Sequence, residues 1–463
     1  MPLKSYLSKK LISIAAISTL ALSSLTISAS DVDAKTTTKK NEVKNVIFLI
    51  GDGMGNSYTS AYRYLKNSSS NQYVNQTSFD KYLVGQQMTY PEDPEENVTD
   101  SASAATAMSA GVKTYNNAIA VDNNKENVKT VLESAKEMGK ATGLVATSEI
   151  THATPAAFGA HDETRKNMNG IADDYFDELV NGKHKIDVLL GGGKSNFVRQ
   201  DRDLTKEFKS AGYNYVTSKS ELQKNNNSKL LGLFADGGLD KLIDRNAATP
   251  SLADMTNAAL KQLSKDKDGF FLMIEGSQID WAGHDNDIVA AMSEMKDFEK
   301  AFEAAIAYAK KDKNTLVVAT ADHSTGGFSL AAKDDYNWFP EAIKAAKKTP
   351  DYMAQQIAAG ADVEETLKKY SGLTLTADEI KSVKDVTSGK ATDIDNAIEK
   401  IYDKRSNTGW TTGGHTGEDV NVYAFGPDAS KFAGQIDNTD QAKIIFNIIE
   451  KNKKKKTKIK DQS

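Results

Sequence analysis

Asn45-Val-Ile-Phe-Leu-Ile50 is an almost unbroken apolar run that stops at Gly51-Asp52-Gly53-Met54-Gly55. A strand with one face in water alternates apolar and polar residues. A continuous run of this kind reads as a strand buried on both faces, the situation of a parallel sheet covered by helices. The pattern recurs at 142–146, 186–190, 270–274 and 316–319, and helical periodicity lies near these runs at 128–138, 252–263 and 292–309. Strands alternating with helices predict an α/β fold, a three-layer αβα sandwich around a central, mostly parallel sheet. Residues 422–425 read as a late strand and 441–450 as a closing helix. Two stretches lack the alternation: 195–250 is polar, and 334–405 holds short amphipathic segments. Both are expected to be insertions on one catalytic domain spanning 43–450.

The two ends read differently from this body. Lys4, Lys9 and Lys10 precede an apolar stretch to Ile27, and small residues follow at Ser28, Ser30 and Ala34. That is the pattern of a secretory signal peptide over residues 1–34, cut after Ala34 or Ser30, with 35–42 a flexible leader. Export is therefore expected, to the extracellular space or the cell surface. The alternative is an uncleaved anchor, for which the run is short and interrupted by serines. Residues 451–463 form a basic tail with seven lysines and one aspartate. It reads as a solvated end that could touch an anionic cell wall or membrane surface. The whole chain carries a formal charge of −5, so the body without its basic tail is more acidic still, which argues against nucleic acid as a partner. No cysteine is present, so disulfides and thiolate metal sites are excluded, and any metal must be held by His, Asp, Glu or a hydroxyl.

Five constellations carry chemistry. Asp52 sits in the glycine-rich turn after the first strand, where open α/β sheets build their sites. Thr99-Asp100-Ser101-Ala102-Ser103 opens a run of small residues that suits a closely packed helix, placing Ser101 near its N-terminus. Read alone, Ser101 is an N-cap; a helix N-terminus also favours phosphate or a developing alkoxide. Glu275 ends the 270–274 run, and Asp280 and His284 follow, four apart and so on one face if helical. Asp322 and His323 stand at the end of the 316–319 run, and His415 lies among glycines before the last strand. Each has a plain structural reading alone, as a turn, a surface ion pair or a core imidazole. Brought together, the carboxylates would repel one another unless divalent ions neutralised them, and oxygen and nitrogen donors without sulfur suit zinc and magnesium.

In order and chemistry these five motifs resemble those of the alkaline phosphatases, from about Asn45 to Glu450. The resemblance implies hydrolysis of phosphate monoesters to an alcohol and inorganic phosphate at alkaline pH, with broad substrate range and a phosphoserine on Ser101. It implies two zinc ions per chain, one on Asp280, His284 and His415 and the other on Asp322, His323 and Asp52. It implies a third, magnesium-type site on Asp52, Thr154 and Glu275, and Arg165 as the group that grips phosphate through its planar fork. A homodimer is also implied. Two positions depart from the best-known bacterial pattern: His152 stands where that pattern has Asp, and Trp281 where it has Lys. A neutral imidazole is a weaker magnesium ligand, so the third-site metal is open. Losing a cation should weaken product phosphate binding and move the optimum further into alkaline pH. His161 and His184 take no metal role, and Gly191-Gly-Gly-Lys194-Ser195 is read as a structural turn, since Val188 stands where a phosphate loop needs glycine. Two other readings stand beside this one: a phosphodiesterase or metal-dependent mutase of the same superfamily, and a catalytically silent surface protein with structural metals.

Overall fold

The computed structural model describes residues 42–67 and 74–460, with side chains described as far as Lys451. The expected signal segment, and the leader as far as residue 41, lie outside the described residues. Ten strands form one sheet: β1 (Asn45–Gly51), β2 (Leu83–Met88), β3 (Ala141–Glu149), β4 (Val188–Gly192), β5 (Asn214–Val216), β6 (Leu230–Leu233), β7 (Phe270–Gly276), β8 (Thr315–Thr320), β9 (Val420–Phe425) and β10 (Gly434–Asp437). Their order is β10-β2-β9-β8-β1-β7-β3-β4-β6-β5. Every pairing is parallel except the two made by β9, which runs against β8 and β2.

β1 lies near the centre, and all seven of its residues are buried. Ile47 and Leu49 face one apolar core while Val46, Phe48 and Ile50 face the other, which is why the strand reads as a continuous apolar run. The first core is closed by α1 (Asn56–Lys66), α5 (Leu252–Leu263), α6 (Gln278–His284), α7 (Ile288–Lys311) and α8 (Ala391–Ser406). The second is closed by α2 (Ser101–Ala110), α3 (Val131–Glu137), α4 (Ala153–Gly159) and α9 (Asn438–Lys460). Three αβα layers result, as the sequence pattern predicts.

Two expectations need correction. Residues 195–250 are not simply an insertion: β5 and β6 lie within them and extend the sheet in parallel from β4. Both strands are short, and β5 is the partly exposed edge strand, so neither shows a long apolar run. The closing helix also does not end at Glu450 but continues through the lysine run to Lys460. Residues 334–405 do fold as a succession of helices, Glu341–Ala345, Pro350–Ala358, Val363–Tyr370, Ala377–Lys384 and most of α8, packed on the first core through Ile343, Met353, Leu367 and Ile398.

Candidate active site

The parallel sheet aligns its strand ends. Ile50 of β1 is level with Thr320 of β8 on one side and with Glu275 of β7 on the other, and Glu275 is level with Ala146 of β3. One rim therefore receives Asp52 after β1, Glu275 at the end of β7, Asp322 and His323 after β8, and Thr154 at the start of α4, after β3. β9 runs in reverse, so the segment before it reaches the same rim and brings His415. Gly53 makes the turn under Asp280 possible: it has φ +70° and its N–H donates to Asp322 Oδ1 at 3.0 Å.

Three groups of donors result. Asp280, His284 and His415 bring one ligand atom each within 4.8 Å of one another, and so do Asp52, Asp322 and His323, and Asp52, His152 and Glu275. α6 puts Asp280 and His284 on one face, with Oδ2 and Nε2 3.3 Å apart. The imidazoles are oriented from behind. His284 Nδ1 donates to the Gly413 carbonyl at 2.7 Å and His415 Nδ1 to the Thr99 carbonyl at 2.8 Å. Carbonyls only accept, so each ring turns its Nε2 to the cleft, and the two Nε2 atoms stand 3.1 Å apart. Two such nitrogens face each other only across a shared proton or cation. In the protein alone the hydrogen bond to Asp280 raises His284 to about 9, while burial and then His323 lower His415 to about 4.

The deeper groups show the same need for positive charge. Asp52, Glu275, Asp322 and His323 are fully buried. Both carboxylate oxygens of Asp52, Glu275 Oε1, Asp322 Oδ2 and Thr154 Oγ1 have no hydrogen-bond partner. Burial and then repulsion from Asp322 hold Asp52 well above the ordinary carboxylate range. Orphaned oxygens in two of the three converging sets fit divalent cations.

Ser101 is the first residue of α2, and Asp100, not Ser101, is the N-cap: its side chain accepts from Ser103 N–H at 2.9 Å. Ser101 is thereby free, and its Oγ lies 3.1 Å from His323 Nε2. Asp100 has a second task, because its Oδ2 accepts from Arg165 Nη1 at 3.0 Å. Arg165 Nη2 lies 3.1 Å from His152 Nε2, and burial followed by that guanidinium lowers His152 to about 3, so His152 is a neutral acceptor there. The Trp281 ring packs edge-on against His152 at 5.7 Å between centroids, and the Lys241 ammonium lies 5.6 Å from the Trp281 ring centre. A cation is therefore near Trp281 after all, but it is tied to Gln278 Oε1 at 2.5 Å. All twelve residues singled out from the sequence thus meet in or beside one site. An open cleft of about 740 Å³ leads to it past Asp93, Asn97, Asp100, Asn116, His284 and His415.

Sequence reasoning missed several supporting groups. Thr325 Oγ1 donates to Asp280 Oδ1 at 2.5 Å and lies 3.2 Å from His323 Nδ1, so one hydroxyl holds two of the donors. Asp100 and the Thr99 and Gly413 carbonyls had no signal beyond their nearness to Ser101 and His415. His161 does join a carboxylate group, with Glu133 and Glu178, but that group closes on the fully buried ammonium of Lys185.

Residues 43–451 match the family model for alkaline phosphatase. Alkaline phosphatase 3 of Bacillus subtilis is 70% identical over 422 residues, which cover 90% of this chain and 91% of that protein. Among solved structures, a cold-active alkaline phosphatase from a psychrophilic Shewanella superposes with a TM-score of 0.83 at 40% identity, covering 88% of this chain and 99% of the other. A histidine-to-aspartate variant of TAB5 alkaline phosphatase, with magnesium bound in its M3 site, is similar at 31% identity and a TM-score of 0.64, covering 89% and 99%. The fold, the rim of donors and these likenesses agree, and the chain belongs to the alkaline phosphatase family, whose members hydrolyse phosphate monoesters.

Proposed function

We propose that this chain hydrolyses phosphate monoesters through a phosphoserine on Ser101, with zinc held by Asp280, His284 and His415 and by Asp52, Asp322 and His323. A third cation, magnesium by preference, would be held by Asp52, Thr154 and Glu275. The observation that carries the reading is the set of buried, unpartnered oxygens beside a serine at a helix N-terminus. Zinc bound there would neutralise the carboxylates and supply the positive charge that favours a serine alkoxide and a departing oxyanion.

The chain's own groups do the rest. Ser101 Oγ, its proton given up to solvent, attacks phosphorus, the new Oγ–P bond forms as the ester P–O bond breaks, and the leaving alkoxide takes a proton from water and departs as the alcohol. Water then attacks phosphorus and breaks the Oγ–P bond, releasing phosphate and restoring the serine. The first N–H groups of α2 face the phosphate, and the helix dipole favours its charge. Arg165, braced by Asp100, holds non-bridging oxygens as charge spreads over them. His152, uncharged, accepts from Arg165 Nη2 without neutralising it, so the charge and the remaining N–H groups of the guanidinium are left for phosphate. We also infer that the chain is exported with removal of residues up to Ala34 or Ser30, that it pairs as a homodimer, and that its lysine tail can hold it to an anionic surface.

The test is turnover of p-nitrophenyl phosphate from neutral to strongly alkaline pH, before and after EDTA and after zinc and magnesium are restored, beside Ser101→Ala. Metal-dependent turnover, label from ³²P-substrate trapped on the native protein in acid, and loss of both in Ser101→Ala are expected. Full turnover by Ser101→Ala would overturn the phosphoserine. Turnover of bis-p-nitrophenyl phosphate in place of the monoester would replace the reading with a diesterase.

A further inference from the structure

A fifth such group, made only of carboxylates, lies behind the cleft. Asp285 follows directly on α6, while Asp395 and Glu399 stand one turn apart on α8, and one oxygen from each lies within 4.8 Å of the others. Asp395 and Glu399 are only 5% and 4% exposed, and Asp395 Oδ1 and Glu399 Oε1 have no hydrogen-bond partner. Asp287 stands just beyond: its Oδ1 caps α7 by accepting from Val289 and Ala290 N–H at 2.8 and 2.9 Å, while its Oδ2 is buried and unpartnered. Buried unpaired charges are costly, and proteins pair them, protonate them or give them a metal.

The contrast within the molecule is direct. Glu133 and Glu178 surround the buried ammonium of Lys185, which neutralises them. At the group behind the cleft no ion pair to a lysine or arginine forms among the described residues. Lys241 is the cation whose charge bears on Asp395, but its ammonium donates to Gln278. Burial and then neighbouring carboxylates drive both Asp395 and Glu399 far above the ordinary range. Asp285 is exposed and gives solvent a way in.

We propose that Asp285, Asp395 and Glu399, backed by Asp287, form a calcium site that ties α8 to the segment following α6. The donors are all oxygen, with neither imidazole nor thiolate, which disfavours zinc. Magnesium keeps most of its water and demands a tight octahedron, whereas calcium accepts several carboxylates at roughly 2.4 Å, so that opposite ligands span about 4.8 Å. The bound cation would brace the end of α6, the helix that carries Asp280 and His284, against the helical stretch before β9.

The test uses the purified enzyme with its resident metals, exchanged into calcium-free buffer that contains zinc and magnesium. Calcium is then titrated by calorimetry and by ⁴⁵Ca flow dialysis, and the thermal midpoint is read with and without it. Wild type should bind one calcium per chain at this site and melt at a higher temperature. Asp395→Asn/Glu399→Gln should lose that calcium and the calcium-dependent rise, yet melt no lower than wild type without calcium, because the amides remove the repulsion. Its turnover of p-nitrophenyl phosphate without calcium reports that it is folded, and Glu399→Gln alone, expected to bind calcium at least tenfold more weakly, serves if the double variant is not. No calcium uptake by wild type, uptake unchanged in the variants, or equal saturation by magnesium alone would overturn the assignment.

Discussion

Gly53→Ala isolates what the turn after β1 does for the site. At φ +70° the residue is in the left-handed region, where an alanine costs about 1–2 kcal/mol. A Cβ there would also lie 2.7 Å from Thr325 Oγ1, 2.8 Å from Asp280 Cα and 2.9 Å from Asp280 Oδ1. The second contact is with backbone, so it cannot be relieved by turning a side chain. Reaching normal contact requires Asp280 to retreat by roughly half an ångström or more, an overpacking cost of about 1–3 kcal/mol. Gly182→Ala is the control: its φ is +74°, and nothing lies within 4 Å of the new Cβ. It should lose only the left-handed cost, so the two variants should differ by about 1–3 kcal/mol in urea denaturation. The functional gap should be larger. A misplacement on the order of 1 Å can cost about a hundredfold in rate, so kcat/KM for p-nitrophenyl phosphate should fall by about that factor in Gly53→Ala and not in Gly182→Ala. Zinc content after dialysis should fall with it, because Thr325 and Asp280 move together. Equal stability, zinc retention and kcat/KM in the two variants would refute the claim that Gly53 sets the position of Asp280.

Other outcomes follow from the same geometry. Arg165→Lys replaces a fork spread between Asp100 and the phosphate by a point charge, and one lost charge-assisted hydrogen bond of about 1.5–3 kcal/mol lowers kcat/KM by roughly ten- to hundredfold, with inorganic phosphate inhibiting more weakly. His152→Asp adds a carboxylate to the Asp52 and Glu275 group, so magnesium should bind more tightly and the optimum should move toward neutral pH; Trp281→Lys should lower the Ki for phosphate and move the optimum the same way, and an unchanged optimum in both would count against these roles. Burial would raise Glu178, but its hydrogen bond with His161 and the charge of Lys185 hold it at about 2. A carboxylate depressed on folding contributes stability above its unfolded value, and that contribution is lost as pH falls from about 4.5 toward about 2. Glu178→Gln should therefore be less stable than wild type at neutral pH, with the difference shrinking across that acid window in denaturation curves.

How far the sequence discloses this molecule depends on how each element is buried. β1, β7 and β8 have apolar middles, buried on both faces by the covering helices, and the candidate donors stand at or just beyond their ends. β2, with the sequence LVGQQM, is partly exposed and has a buried glutamine that donates to the Ala321 carbonyl, so its pattern is not that of a strand. β5 and β6 are three and four residues long and leave too short a trace in a polar stretch. Arg165 lies outside the regular elements, and only the likeness to a family singled it out; in the structure its position follows from the Asp100 carboxylate and the Asn117 carbonyl. Asp395 and Glu399 were hidden for the opposite reason. Acids at this spacing on an amphipathic helix read as a solvated face, and only the packing of α8 over the segment after α6 buries them.

One topological feature explains why motifs scattered over more than 360 residues could be read as one site. Asp52 and Asp322 follow strands and Glu275 ends one, whereas His415 precedes β9. In a wholly parallel sheet a residue before a strand and a residue after its neighbour lie at opposite rims, a strand's length apart. β9 is antiparallel to β8, with Ala319 level with Tyr423 and Val317 with Phe425, so the chain enters β9 at the rim where β8 ends. The two-residue pairing of Ser324 with Thr416 and Thr325 with His415 then fastens the segment after β8 to the segment before β9. His323 and His415 stack with ring centres 3.6 Å apart as a result. The reversed strand decides where that segment crosses the rim. A spacing of ligands along the chain can suggest that they meet, but it is the one antiparallel strand in a parallel sheet that makes a histidine before a strand and an aspartate after its neighbour face the same cleft.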